Sequence, residues 1–264
     1  MNTNTETPAV TAPEQALAHA ALFESLALCF RSRPGESPQT LRGIVDESPE
    51  RWRPELLEVA KLMEQVTEEH YLQLFGNGGL CHDCESAYVT NRPAGGLLAD
   101  VAGFYRAFGY TAACGAGSEP AEVCQGAGRF GNLPHSSSGS PADPIDHIAT
   151  ELSFVSFLFA KEAHAQFGGN VLAADICRRA RELFLHEHLG TWIVGFTASV
   201  DRNASGSGHE RAAALVRDAL IELGIGEASR AERSTGLDRQ SAGPDDSLCG
   251  MCPAAANADE DACL

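Results

Sequence analysis

The sequence predicts an all-α, single-domain helical bundle with a flexible C-terminal tail. Apolar residues recur at alternating steps of three and four along most of the chain, which is the period of a half-buried helix. No alternating run of β-branched residues is long enough for a strand, and no internal repeat divides the chain. With 264 residues, 44% of them hydrophobic and 21% charged, the composition is that of an ordinary soluble globule. A chain of this size buries roughly 70–75% of its unfolded surface, so its core needs no staples.

The elements follow in order. Residues 1–12 are expected to be disordered, and the helical domain to run over 13–224. Ala16, Ala20, Phe23, Ala27 and Phe30 form the stripe of the first helix, with Leu22, Leu26 and Cys29 as a second row. Thr11-Ala12-Pro13-Glu14 supplies a capping box ahead of it. A short helix is expected after Ser37-Pro38, and a helical stretch from Glu55 to about Phe75 with Leu56, Ala60, Met63 and Leu74 on one side. Leu97, Val101, Phe104 and Phe108 repeat the pattern up to a stop at Gly109.

The strongest helix is expected to open at Asp143-Pro144, Asp143 as its cap and Pro144 in its first turn, where no amide donor is needed. Ile145, Ile148, Leu152, Val155 and Phe159 make its face, and Gly168-Gly169 ends it. Asn170 to about His188 carries Leu172, Ile176, Ala180 and Leu183; Leu189, Ile193, Phe196 and Val200 continue a helix behind Gly190; Glu210–Leu223 is the last, closed by Gly224. Residues 114–142, dense in Gly, Ser and Pro, are expected to be a flexible insertion, because loops that long are unusual inside a compact domain. Residues 225–264 lose apolar periodicity and are acidic, the composition of a tail that cannot bury enough surface to order itself.

Charge excludes one class of partner. Lys and Arg number 19 against 36 Asp and Glu, a net −17. A phosphate backbone is held mainly by Lys and Arg, and no basic stripe stands out, so nucleic acid is not the expected ligand. Met1 to Val10 contain no Lys, no Arg and no apolar run, which does not fit a secretory signal, and a cytoplasmic location is expected. The longest apolar stretch, around Leu152 to Ala160, is interrupted by Ser153 and Ser156 and closed by Lys161 and Glu162, so no membrane span is expected.

Catalytic patterns are lacking. Gly76-Asn77-Gly78-Gly79 has no Lys-Ser/Thr pair after it and follows a helix, unlike a nucleotide loop. His186 and His188 are two apart, which on a helix sends them to different faces, and neither a His-Glu-x-x-His nor a Gly-x-Ser-x-Gly motif is present. Cys29 and Cys177 sit on apolar faces, where a thiol is usually an inert small hydrophobe. Two C-x-x-C pairs remain, Cys81/Cys84 and Cys249/Cys252. Four thiolates complete a tetrahedral zinc or iron–sulfur shell, and Cys263 is an alternative fourth ligand. The pairs are about 165 residues apart, so the alternative is that each acts alone as thiols or is inert.

Several short segments, in order, resemble the TorD/DmsD/NarJ family of chaperones dedicated to molybdenum-cofactor oxidoreductases. They are Tyr71-Leu72-Gln73-Leu74-Phe75, then Glu85-Ser86-Ala87-Tyr88, Phe104-Tyr105-Arg106-Ala107-Phe108-Gly109, Asp143-Pro144-Ile145-Asp146-His147, and Glu151-Leu152. Phe184-Leu185 to His188-Leu189 and Trp192 resemble the family's penultimate helical stretch, so the likeness covers roughly Ala16 to Leu223. The resemblance implies a non-enzymatic, all-helical chaperone that needs no cofactor of its own. It would bind the N-terminal signal or leader peptide, often twin-arginine, of a molybdopterin oxidoreductase catalytic subunit and hold it from export until the cofactor is inserted. By carry-over, Tyr71, Leu74, Phe75, Glu85, Ser86, Tyr88, Tyr105, Asp143, Asp146 and His147 help form the peptide site; Asp143 stands where the family's motif has Glu. Both a monomer and a homodimer are compatible with it.

A leader peptide offers arginines and then an apolar helix-forming run, so its receptor should pair acids with an apolar groove. The plainer alternative makes Asp143 and Asp146 helix caps, and Leu74, Phe75, Phe104 and Tyr105 ordinary core. His147 does not fit that alternative, because a positive ring is disfavoured at a helix N-terminus. Two further classes compete with the chaperone: a metal- or thiol-dependent redox protein or carrier using the C-x-x-C pairs, and a structural subunit of a reductase complex.

Overall fold

Thr11 and Glu14 close the expected capping box, the Glu14 carboxylate accepting from the Thr11 amide at 2.8 Å, at the start of α1 (Ala12–Leu28). The computed structural model of the chain describes residues 11–32, 37–111 and 143–225. The expected insertion 114–142, residues 1–10 and the tail beyond Ile225, with Cys249, Cys252 and Cys263, lie outside the described residues. Thr11 and Ala12, expected to be disordered, instead start α1, because the capping box holds them there. Among those described, the molecule is all-α, with no strand and one isolated backbone bridge between Cys84 and His147.

After α2 (Ser37–Val45), the stretch expected as one helix from Glu55 to Phe75 is two, α3 (Arg53–Met63) and α4 (Glu68–Phe75). Thr67 explains the break, since its side chain accepts from the His70 amide at 3.2 Å and so starts a new helix. α5 (Ala94–Phe108) stops where expected, at Gly109, whose φ of +67° is the left-handed conformation that favours glycine.

The helix expected from Asp143 starts later: α6 spans Ile148–Phe167, His147 is its cap, and Asp143 to Asp146 form a turn ahead of it. α6 is buried on nearly every side and packs most extensively on α1, where alanines allow close approach and the Ser156 hydroxyl donates to the Ala20 carbonyl at 2.7 Å. Phe23 and Phe159 stack across the same interface at 5.6 Å.

α7 (Val171–Phe184) begins near the expected start, with Asn170 as its cap, its side chain accepting from the Ala173 amide at 3.0 Å, but its inner face is not the expected one. Ala174, Cys177, Arg181 and Phe184 point inward, while Leu172, Ile176 and Leu183 are exposed. The buried Arg181 fixes this rotation: its guanidinium pairs with Glu162 on α6 and lies 3.8 Å from the centre of the Phe159 ring. A π-helical turn, Leu185–Leu189, links α7 without a break to α8 (Gly190–Asn203).

α9 (Gly208–Glu222) packs on α3 and α8. A Cβ at Gly208 would stand 2.9 Å from the Met63 amide nitrogen, so only glycine lets these helices approach. Ile225, the first residue of the expected tail, instead belongs to the body: it is buried and its amide donates to the Leu220 carbonyl at 2.9 Å. Among the described residues no helix is long and apolar enough to cross a membrane.

Candidate functional site: the crossing of two loops

The two loops carrying most of the singled-out residues cross. Segment 83–88 runs antiparallel to segment 145–148, with the Glu85 amide donating to the Asp146 carbonyl at 2.9 Å and the Ile148 amide to the Asp83 carbonyl at 2.8 Å. The Asp146 carboxylate then accepts from the Ser86 amide at 3.1 Å, capping the 3₁₀ turn Glu85–Ala87. Asp146 is therefore a cap, of a turn in the other loop and not of its own helix. Asp143 caps neither; it is half-buried and accepts a hydrogen bond from the exposed Ser32 hydroxyl, in the bend after α1.

His147 is the cap of α6, against the expectation that a histidine does not fit there. The Ala149 amide donates to its Nδ1 at 3.1 Å, which requires a lone pair on that nitrogen and leaves the proton on Nε2. Nε2 faces Asp83 Oδ2 at 3.1 Å. The ring caps as a neutral acceptor, so the positive end of the helix does not oppose it. Burial alone would raise the Asp83 carboxyl, but the hydrogen bond from His147 prevails and holds it below its ordinary value.

Beneath the crossing lies a second layer. Glu85 is fully buried and meets His188 Nδ1, on the π-helical turn, at 3.0 Å, with both side chains about 1% exposed. Glu151 on α6 is fully buried beside it and accepts from Trp192 Nε1 at 3.1 Å. Burial and the neighbouring Glu85 carboxylate raise the Glu151 carboxyl well above its ordinary value. The Tyr105 hydroxyl donates to the Ile145 carbonyl at 2.7 Å and ties α5 to the same loop.

Tyr71, Leu74 and Phe75 stand in a neighbouring aromatic cluster with Phe30, Phe196 and His209. The Tyr71 hydroxyl donates to the Phe30 carbonyl at 3.3 Å, and Asp83, Asp143 and Cys84 are near enough to act on it electrostatically. The ten expected peptide-site residues thus gather in one region, most of them buried. Ser86, Tyr88 and Asp143 retain partial exposure. Tyr88 packs its ring on Trp192 at 5.5 Å and donates its hydroxyl to the His82 carbonyl at 2.9 Å. A Cβ at Gly195 would come 2.9 Å from that ring, so Gly195 makes room for it.

Of the expected metal ligands, Cys81 is buried and Cys84 half-buried, and both are free thiols. Burial first, then the carboxylates of Asp146 and Asp83, push the Cys84 thiol up, which disfavours the thiolate a metal requires. Among the described residues no group of three or more His, Cys, Asp or Glu is arranged to hold a metal ion. Cys249 and Cys252 are not among those residues.

Glu85 and His188 pair across a separation of 103 residues, a contact with no local sign in the sequence. Glu151 does have one, a carboxylate on the apolar face between Ile148, Leu152 and Val155. Residues 136–198 match the family model described as nitrate reductase delta subunit. That stretch is about a quarter of the chain and agrees, at a coarse level, with the chaperone family the sequence resembles. No curated protein and no solved structure matches the chain.

Proposed function

We propose that the protein is a maturation chaperone for a molybdopterin oxidoreductase. It binds the N-terminal signal or leader peptide of the catalytic subunit and assists cofactor insertion and assembly before export. The observation that carries this reading is the match of residues 136–198 to the nitrate reductase delta subunit family, because His147, Glu151, His188 and Trp192, which hold the loop crossing, all lie within it. In this role the chain has no catalytic function and requires no cofactor of its own.

The roles divide by exposure. Tyr71, Leu74, Phe75 and Tyr105 form the rigid wall behind the site. Glu85, Asp146 and His147 fix the crossing. Ser86, Tyr88 and Asp143, with Asp83, face the peptide. Arginines of a leader are drawn by these acids and by the net charge of −17, and its apolar run packs as a helix-in-groove ligand does.

Calorimetric titration of the full chain with the leader of a reductase subunit encoded beside it, at two ionic strengths, tests the reading. Stoichiometric binding that weakens at high salt is expected. No heat at either salt concentration would overturn it.

A further inference from the structure

A cavity of about 320 Å³ opens between the loop that follows the crossing and the π-helical turn, lined by Tyr88, Asn91, Arg92, Glu187 and Thr191 among others. From these residues we infer that the cavity is an arginine subsite, with Glu187 as the carboxylate that takes the guanidinium. The inference rests on the leader-binding function proposed above and adds where one arginine goes.

The size suits one long side chain; it lies at the lower end of the range for whole small-molecule sites. The polar groups suit a guanidinium. Glu187 is exposed and makes no hydrogen bond or ion pair among the described residues. Arg92, the one cation in the lining, is paired with Asp100 and so does not neutralise Glu187. The Thr191 hydroxyl donates to the His188 carbonyl at 2.7 Å, which leaves its oxygen free to accept. A planar donor fork engages a carboxylate in two parallel hydrogen bonds and has further N–H groups for acceptors such as Thr191 and Asn91, whereas an ammonium meets the same carboxylate as a point charge.

The walls are fixed from behind. Tyr88 is held by Trp192 and the His82 carbonyl, and His188, next to Glu187 in sequence, is anchored inward on Glu85. A π-helical turn is rare and recurs at functional sites. Here it continues α7 into α8 with His188 turned into the core and Glu187 facing the cavity.

The test uses the full chain and three synthetic leader peptides that differ only in having two arginines, two lysines or two glutamines ahead of the same apolar run. Wild type should bind them in that order. Glu187→Gln should weaken the arginine peptide about tenfold, the loss of a charge-assisted pair, and leave the glutamine peptide unchanged. Thr191→Val should reduce the preference for arginine over lysine. Glu187 is exposed, and an unchanged melting temperature will confirm that its variant is folded. If Glu187→Gln keeps the full preference for arginine, or weakens all three peptides equally, the cavity is not the subsite, although leader binding stands. If wild type binds none of the three, the chaperone reading fails and this inference with it.

Discussion

The Tyr71–Phe75 segment and the Asp143–His147 segment both end up against the core, yet they are held by opposite means. Tyr71, Leu74 and Phe75 are packed among rings, and His209 at the centre of that cluster has neither ring nitrogen bonded. In the crossing, by contrast, Asp146, His147, Glu85 and His188 each have a named hydrogen-bond partner. Truncation in a packed cluster costs according to the cavity left behind, whereas deletion in a bonded network costs according to the partner left orphaned. The two regions should therefore respond differently to the same kind of substitution.

The largest effect is expected at His188. His188→Ala strands the buried Glu85 carboxylate beside Glu151 and should lower stability by about 3–5 kcal/mol, read from the urea midpoint. A loss no larger than that of an exposed residue would mean that the bonded pair does not hold the crossing.

The regions should also differ in the sign of their pH dependence. Burial presses His209 from its ordinary 6.5 down to about 4, so the unfolded chain takes up a proton that the folded one refuses, and stability falls as pH drops from about 6.5 to about 4. Glu151 runs the other way. Its folded form keeps a proton that the unfolded chain releases above the ordinary carboxyl value of 4.5, so stability falls as pH rises above that value. His209→Phe should remove the acid slope and raise stability by about 1 kcal/mol, since no hydrogen bond is lost. Glu151→Gln should remove the alkaline contribution alone. Thermal melts across pH separate the two, and equal slopes in both variants would contradict the assignment. Smallest is the Asp146 cap: Asp146→Ala should cost about 1 kcal/mol, with exchange of the Ser86 amide accelerated.

Local chemistry made much of the fold legible in the sequence. The Thr11/Glu14 box and the stop at Gly109 both stand where their own side chains or backbone freedom place them. The start of α6 was not legible, because Asp143-Pro144 reads locally as a cap and first turn. In the fold, the distant segment 83–86 takes the main chain of Asp146 and Ile148 into the crossing. The inner face of α7 is hidden for a similar reason: its apolar stripe points to Leu172, Ile176 and Leu183, but the ion pair of Arg181 with Glu162 turns the other side inward. For the candidate site, the motifs brought the right segments together without showing which residues are walls and which are surface, since burial depends on partners far away in sequence.

The most direct measurement is the leader-peptide affinity of Asp143→Asn beside that of Phe75→Leu, each with its melting temperature. Asp143→Asn should weaken binding several-fold at low salt and leave melting unchanged, while Phe75→Leu should lower the melting temperature and, where it is still folded, bind as wild type does. Lost affinity in Phe75→Leu together with full affinity in Asp143→Asn would contradict the division into an apolar wall and an acidic peptide-facing crossing.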